Sequence, residues 1–242
     1  MKSYGEFCSL SRALDVVGDR WTMLVVRELL VGPSRYSDLH KALPGIATNL
    51  LASRLRTLEE AGVVASTDAP APVSARVYSL TEWGRGLQRP LVELARWGVP
   101  LMSAGTGEDH SRGRWLVFAI MALFPEPAAT QEDSGVPAVT VRIDADGDSL
   151  LLVSDPTGVR ASVTNAGEPA EVIVAGSSEE VFRTLSGDRT EGSHAHVTGD
   201  ADALRRFFEL TSSALTPTAT SDAKPESGSS SPTSTPPLPL HR

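Results

Sequence analysis

The sequence predicts an α+β protein built as two units in tandem, and three observations carry that prediction. Apolar residues recur at helical spacing through the first sixty or so positions, then give way to a β-rich pair of segments and a further helical stretch. Beyond residue 110 the pattern turns to short β-rich runs separated by Asp/Gly turns, which predicts an antiparallel sheet flanked by helices. Charge divides the chain at the same place. Residues 1–105 hold 12 Lys+Arg and 10 Asp+Glu, a balance of +2, whereas residues 106–242 hold 10 and 20, a balance of −10, so the net −8 hides a first half suited to an anionic partner.

With 242 residues, 40% of them hydrophobic, each unit can bury a core of its own. No apolar run reaches the roughly 18 residues of a membrane span, and the N-terminus lacks a basic-then-apolar leader. The expected location is therefore the cytoplasm, with no membrane partner. Cys8 is the single cysteine, which excludes an intramolecular disulfide and a cysteine-rich metal site.

Leu14, Val17, Trp21, Leu24 and Val25 follow helical spacing, and Gly18–Asp19 breaks them into two short helices. Gly32 and Pro33 stop the second, Ser37 reads as the N-cap of a third, and Gly62 stands where a C-terminal cap closes a fourth. "VVAST" and "ARVYSL" flank the Pro-containing "DAPAPVS" and predict a hairpin. Thr81 then caps one long helix with Leu87, Leu91, Leu94 and Trp97 along one side. "SAGTGEDHSRG", Ser103 to Gly113, has linker composition, so the units are placed at 1–105 and 110–212.

In the second unit "RWLVFAIMALF" is apolar all round, which fits a buried helix or one meeting an apolar ligand. "AVTVRI", "SLLLV", "RASVT" and "AEVIVAG" read as strands, with "DADGD" as a hairpin turn, and "SEEVFRTL" and "DALRRFFEL" as closing amphipathic helices. From Thr216 to residue 242 the chain is nearly devoid of apolar residues and is expected to be a disordered tail.

The helix within "GIATNLLASRLRTLEEAGVV" raises the functional question. Leu51, Leu55 and Leu58 form a core stripe, while Asn49, Ser53 and Arg56 share another face, with Thr48 at its start. Short hydroxyl and amide groups with an arginine can bond phosphates and base edges, although the same residues also suit a plain solvated face. A helix, a turn, a second helix and a hairpin make the winged form of helix-turn-helix, which lays its second helix in the major groove of double-stranded DNA. Arg76 on the hairpin, with Arg35 and Ser37 at the third helix, would then meet phosphates. Arg54 lies between core stripe and exposed face and reads equally as a DNA contact or as the partner of an acid.

"ALDVVGDRWTMLVVRELLVGPSRYSDLHKALPGIATNLLASRLRTLEEAGVV", with "VYSLTEWGRGL" and "ELARWG", resembles the HxlR-type family of winged helix-turn-helix transcriptional regulators over roughly Cys8 to Trp97. The resemblance implies a homodimer, held by the N-terminal segment and the long last helix, that reads a palindromic operator. It puts the start of the third helix near Tyr36 and the recognition helix at about Ala47 to Ala61. Asn49 replaces a basic residue frequent there, which leaves base preference open. Some members sense oxidants through an N-terminal cysteine, the role this likeness offers Cys8 beside that of an inert packing residue.

The second unit is similar, by its strand series and by "TLSGDRTEGSHAHVTGDADALRRFFEL", to the sterol-carrier-protein type of lipid-binding domain. That likeness implies an apolar small-molecule effector, with Trp115, Phe118, Met121 and Phe124 as candidate cavity residues; a lipid or hydrophobe carrier is the alternative. His194 and His196 alternate as strand-face residues and lack a third neighbour that would make a metal site. No nucleophile elbow, phosphate-binding Gly-rich loop or paired His/Glu motif occurs, so neither an enzyme nor a cofactor is expected.

Overall fold

Gly18 caps the first helix where the first two part, and a side chain there would collide with the Leu14 carbonyl. In the computed structural model, which describes residues 3–68, 75–104, 107–123, 137–155, 158–186 and 194–215, α1 spans Ser9–Val17 and α2 spans Thr22–Val31. The two-residue β1 (Ser34–Arg35) leads into α3 (Tyr36–Ala42), and α4 (Thr48–Glu60) follows after one turn. Gly62, at φ +73°, reverses the chain out of α4, a left-handed conformation that L side chains adopt at a cost. Leu51, Leu55 and Leu58 are buried as the stripe requires, packed with Val25, Val26 and Leu39.

The predicted hairpin forms from β2 (Val64–Asp68) and β3 (Arg76–Leu80), paired antiparallel from Val64↔Leu80 to Asp68↔Arg76. β1 adds to the other side of β3, making a three-stranded wing. The connecting "DAPAPVS" falls almost wholly outside the described residues, as do Phe124 and the predicted tail.

Thr81 caps as expected, accepting from the Gly84 amide at 3.0 Å. The single long helix, however, is two: α5 (Glu82–Arg85) and α6 (Gln88–Gly98), parted at Gly86–Leu87. Gly84 seats α5 so closely on the wing that a Cβ would lie 2.1 Å from the Val63 carbonyl oxygen, and that seating fixes where the chain turns. Leu91 is buried, whereas Leu94 and Trp97 face outward, Trp97 with 74% of its surface exposed.

The second unit carries α7 (Leu116–Leu123), then β4 (Val139–Ala145), β5 (Asp148–Asp155), β6 (Gly158–Thr164) and β7 (Val172–Gly176), followed by α8 (Ser178–Leu185), β8 (His196–Gly199) and α9 (Ala201–Leu215). The sheet order is β6-β5-β4-β7-β8. It is mixed rather than antiparallel, since β7 runs parallel to β4 from Val141↔Val172 to Ala145↔Gly176. The cause is the segment after β6, which crosses to the far side of β4; Arg142 donates to the Glu168 carbonyl from beneath it at 2.7 Å. Asp146 and Gly147, both at positive φ, make the two-residue turn read from "DADGD". Ser177 and Glu180 close a capping box on α8.

One face of this sheet is dry. Val139, Val141, Ile143, Leu150, Leu152 and Val174 lie buried with Phe207, Val181 and Leu185 from the helices, so side chains fill the space between sheet and helices. α7 is the buried helix its composition predicts, packed against α6, β6 and α8.

The two units are joined by more than the chain. Trp115 Nε1 donates to Glu28 Oε1 at 2.7 Å, Arg96 Nε donates to the Ala122 carbonyl at 2.8 Å, and Arg112 donates to the Lys41 carbonyl at 2.7 Å. The segment before α7 is also bolted to the β4–β5 hairpin. Arg114 pairs with Asp148, Ser111 donates to Asp146, and Gly113 passes so near Ala145 that a Cβ would meet its carbonyl oxygen at 2.0 Å.

Candidate nucleic-acid interface

α4 begins with Ala47 in an extended conformation, and no side chain caps it. The Leu50 amide bonds the Ala47 carbonyl at 3.0 Å, so the amides open to an acceptor from outside are those of Thr48 and Asn49. Tyr36 Oη donates to the Thr48 carbonyl and its ring stacks on His40, which ties α3 to the start of α4 and sets their mutual angle.

Thr48, Asn49, Ser53 and Arg56 are all exposed on the side of α4 opposite the leucine stripe. Arg56 makes no ion pair among the described residues. Arg35 is exposed at the end of β1, where it holds the N-cap position of α3, the first helix of the helix-turn-helix.

The geometry corrects the capping role of Ser37 and bears on the readings of Arg54 and Arg76. Arg54 turns inward and pairs with Asp19, bracing α4 against the α1–α2 turn, and its side chain is only 21% exposed; it is a structural strut, the second of its two sequence readings. Ser37 is not a cap: Arg35 holds the N-cap position, no side chain caps α3, and Ser37 lies exposed within the first turn. Arg76 donates to Ser66 Oγ at 2.7 Å and Glu59 Oε1 at 3.0 Å and lies over the Tyr78 ring, so part of its charge is answered inside the wing.

The candidate effector residues do not line one cavity. Trp115 sits in a 3₁₀ turn before α7, where its hydrogen bond to Glu28 and the Arg27 guanidinium 4.0 Å over its ring draw it toward α2. It borders a cleft of about 280 Å³ reaching to α8. Phe118 and Met121 border a separate cavity of about 140 Å³ between α7, α2, α6 and β6, with Phe118 almost wholly in the core. His194 precedes β8 rather than belonging to it, though both histidines are exposed, and among the described residues no cluster could hold a metal ion.

Cys8 is exposed at the N-cap of α1. The backbone amide of Ser11, then that of Leu10 and the Ser11 hydroxyl, stabilise the thiolate and hold the Cys8 pKa below the ordinary thiol value.

The pair Glu28–Trp115 had no place in the sequence-based list. Its signal was there: a lone Arg-Glu inside the apolar run "TMLVVRELLV" places a carboxylate where it must be buried, and a buried carboxylate requires donors. Glu28 is 3% exposed and receives Trp115, Arg27 Nη2 at 2.8 Å and Arg27 Nε at 3.1 Å.

Helix, turn and second helix with a wing of paired strands define a winged helix-turn-helix protein. Residues 16–105 match the HxlR-like helix-turn-helix family, and the chain belongs to that family. It is 37% identical over 95 residues to the HTH-type transcriptional regulator YvaP of Bacillus subtilis, covering 39% of this chain and 88% of YvaP. It is 32% identical over 96 residues to the HTH-type transcriptional regulator YodB of the same organism, covering 40% and 86%. A third relative, the HTH-type transcriptional regulator Rv3095 of Mycobacterium tuberculosis, is 41% identical over 90 residues, 37% of this chain and 56% of that protein. The chain thus spans about half the length of such mycobacterial relatives. A solved structure of YodB in its reduced form overlaps 41% of this chain and 99% of its own, at 30% identity and a TM-score of 0.37. The relatives are named as regulators and not as enzymes. Among the described residues no helix is long and apolar enough to cross a membrane.

Proposed function

We propose that this chain is a homodimeric, operator-binding transcriptional regulator whose second unit takes an apolar effector. The observation that carries the DNA reading is the free face of α4. Thr48, Asn49, Ser53 and Arg56 stand exposed while the leucines behind them anchor the helix, so the face can enter a major groove without disturbing the core. Arg35 and the outer part of Arg76 serve as phosphate anchors, and phosphate contacts position without specifying.

Dimerisation is supported by large apolar side chains that are exposed among the described residues. Phe7, Leu10 and Leu14 on the N-terminal arm and α1 are all exposed, as are Leu94 and Trp97 on α6, and exposed large apolar side chains of this kind suit an interaction face. Two copies paired there present two α4 helices to a palindrome. An effector that binds one spacing of those helices better than another shifts operator affinity by that difference.

The test is a titration of labelled DNA from the protein's own promoter region at two salt concentrations, with unrelated DNA as competitor. Binding that survives the competitor and weakens with salt is the expected result, whereas equal displacement by unrelated DNA would overturn operator recognition at that site. A second reading, thiol-based sensing, is favoured by the exposure of Cys8 and its amide-stabilised thiolate; the relevant comparison is the same titration before and after treatment with a mild thiol oxidant.

A further inference from the structure

Of the two cavities bordered by the candidate effector residues, the larger has the features of a ligand site. Its floor is Trp115, Leu116, Ala119 and Phe182, contributed by the 3₁₀ turn, α7 and α8. Leu101 and Met102, on the 3₁₀ turn after α6, are exposed at its border, so apolar surface is offered on both sides of the gap. At about 280 Å³ it falls just below the roughly 300–1,000 Å³ common for small-molecule pockets. That volume holds a bicyclic aromatic rather than a lipid chain.

The polar lining decides the ligand's charge. The formal charges of Arg112 and Asp109, both on the lining, cancel in sum, and Glu179 is paired with Arg183 at 2.8 Å, so the cleft carries no surplus charge for an ion. Bringing an ionised group into a partly apolar cleft without a dedicated partner is costly. Ser111 and Ser178 both donate to Asp146 and are engaged. His110 and the remaining N–H groups of Arg112, whose Nη2 holds the Lys41 carbonyl, are left to bond one hydroxyl or carbonyl.

We propose that this cleft binds an uncharged, flat aromatic molecule of naphthol size carrying one hydroxyl or carbonyl group. Trp115 belongs both to its floor and to the Glu28 bridge into α2, so a ligand resting on the indole bears on the helix behind the helix-turn-helix. This coupling rests on the regulator reading above; the binding itself does not.

The probe is 2-naphthol, titrated by calorimetry into the full chain carrying [¹³C-methyl]methionine, with 2-naphthoate as the charged control. Met102 borders the large cleft and Met121 the small cavity, so the methionine signals report which is filled; Met102→Leu assigns the first. Saturable 2-naphthol binding at least 10-fold tighter than 2-naphthoate, with the Met102 signal shifting and Met121 still, is the expected outcome. Absence of saturable binding, a shift confined to Met121, or tighter binding of 2-naphthoate would overturn the assignment. Ala119→Trp, which fills the floor, is expected to weaken binding at least 10-fold, and the methionine shifts stand as evidence even if that variant fails to fold. If 2-naphthol binds as described and DNA affinity does not change, the site holds and only its coupling to DNA fails.

Discussion

Trp115 Nε1 lies 2.7 Å from Glu28 Oε1, a hydrogen bond from the first turn of the second unit to a buried carboxylate in the middle of α2. Its two partners are 87 residues apart in sequence, and the guanidinium of Arg27 closes the arrangement by bonding the carboxylate and stacking on the indole. Burial pushes the Arg27 pKa down despite its partner Glu28.

Replacing Trp115 by Phe keeps most of the apolar bulk and removes the donor. The carboxylate is then left with Arg27 alone, and the expected loss is about 1–3 kcal/mol of stability in urea unfolding. Glu28→Gln removes the charge while keeping an acceptor, so Trp115→Phe in that background should cost less. A cycle with no coupling between the two changes would show that the bond adds nothing across the junction.

Gly113 makes a second, independent prediction about the same junction. A methyl group there would sit 2.0 Å from the Ala145 carbonyl oxygen and 3.0 Å from Asp148 Cβ, a backbone clash that no rotamer relieves. Gly113→Ala is therefore expected to destabilise by about 1–3 kcal/mol or more, as overpacking does. Gly98→Ala, where an added Cβ meets nothing, is the control: it should be neutral or slightly stabilising in the same assay.

Asp146 gives the junction a pH dependence. Burial raises its pKa, but hydrogen bonds from Ser111 and from the Ser178 hydroxyl and amide outweigh burial and hold the carboxyl below the ordinary aspartate value. A carboxylate depressed in the folded state contributes stability that is complete above its unfolded pKa of about 3.9 and is lost as pH falls through the depressed value. Asp146→Asn keeps a residue that tolerates the left-handed turn at φ +46° while removing the titration. Stability measured from pH 6 down to pH 3 should fall less steeply in the variant, and parallel curves would remove Asp146 from the acid response.

How far the sequence carried differs between the two units for physical reasons. In α4 the leucine stripe, the polar face and Gly62 each follow from one local rule, and all three stand in the structure where periodicity put them. The break at Gly86–Leu87 was illegible because it depends on how tightly Gly84 seats against Val63, a contact across the wing. The parallel β4–β7 pair was illegible because alternation in a strand is blind to its neighbour's direction. Arg54 shows the limit most clearly: only the fold brings Asp19 near enough to convert a candidate DNA contact into a strut.

Arg56 and Arg35 should separate recognition from attachment. Arg56 stands on the exposed face of α4, where a bidentate contact to a base would discriminate by about 1–3 kcal/mol, whereas Arg35 stands exposed at the end of β1 and is proposed as a phosphate contact. Arg56→Ala is expected to narrow the gap between operator and unrelated DNA, with loss concentrated at one base position in each half-site. Arg35→Ala is expected to weaken both DNAs alike and to reduce the slope of log affinity against log salt by about one unit per protomer, because one phosphate contact is lost. Equilibrium titrations of both variants on both DNAs at several salt concentrations read the two quantities together. If Arg56→Ala lowers the salt slope and leaves sequence preference intact, Arg56 is a phosphate contact and the reading face of α4 narrows to Thr48, Asn49 and Ser53.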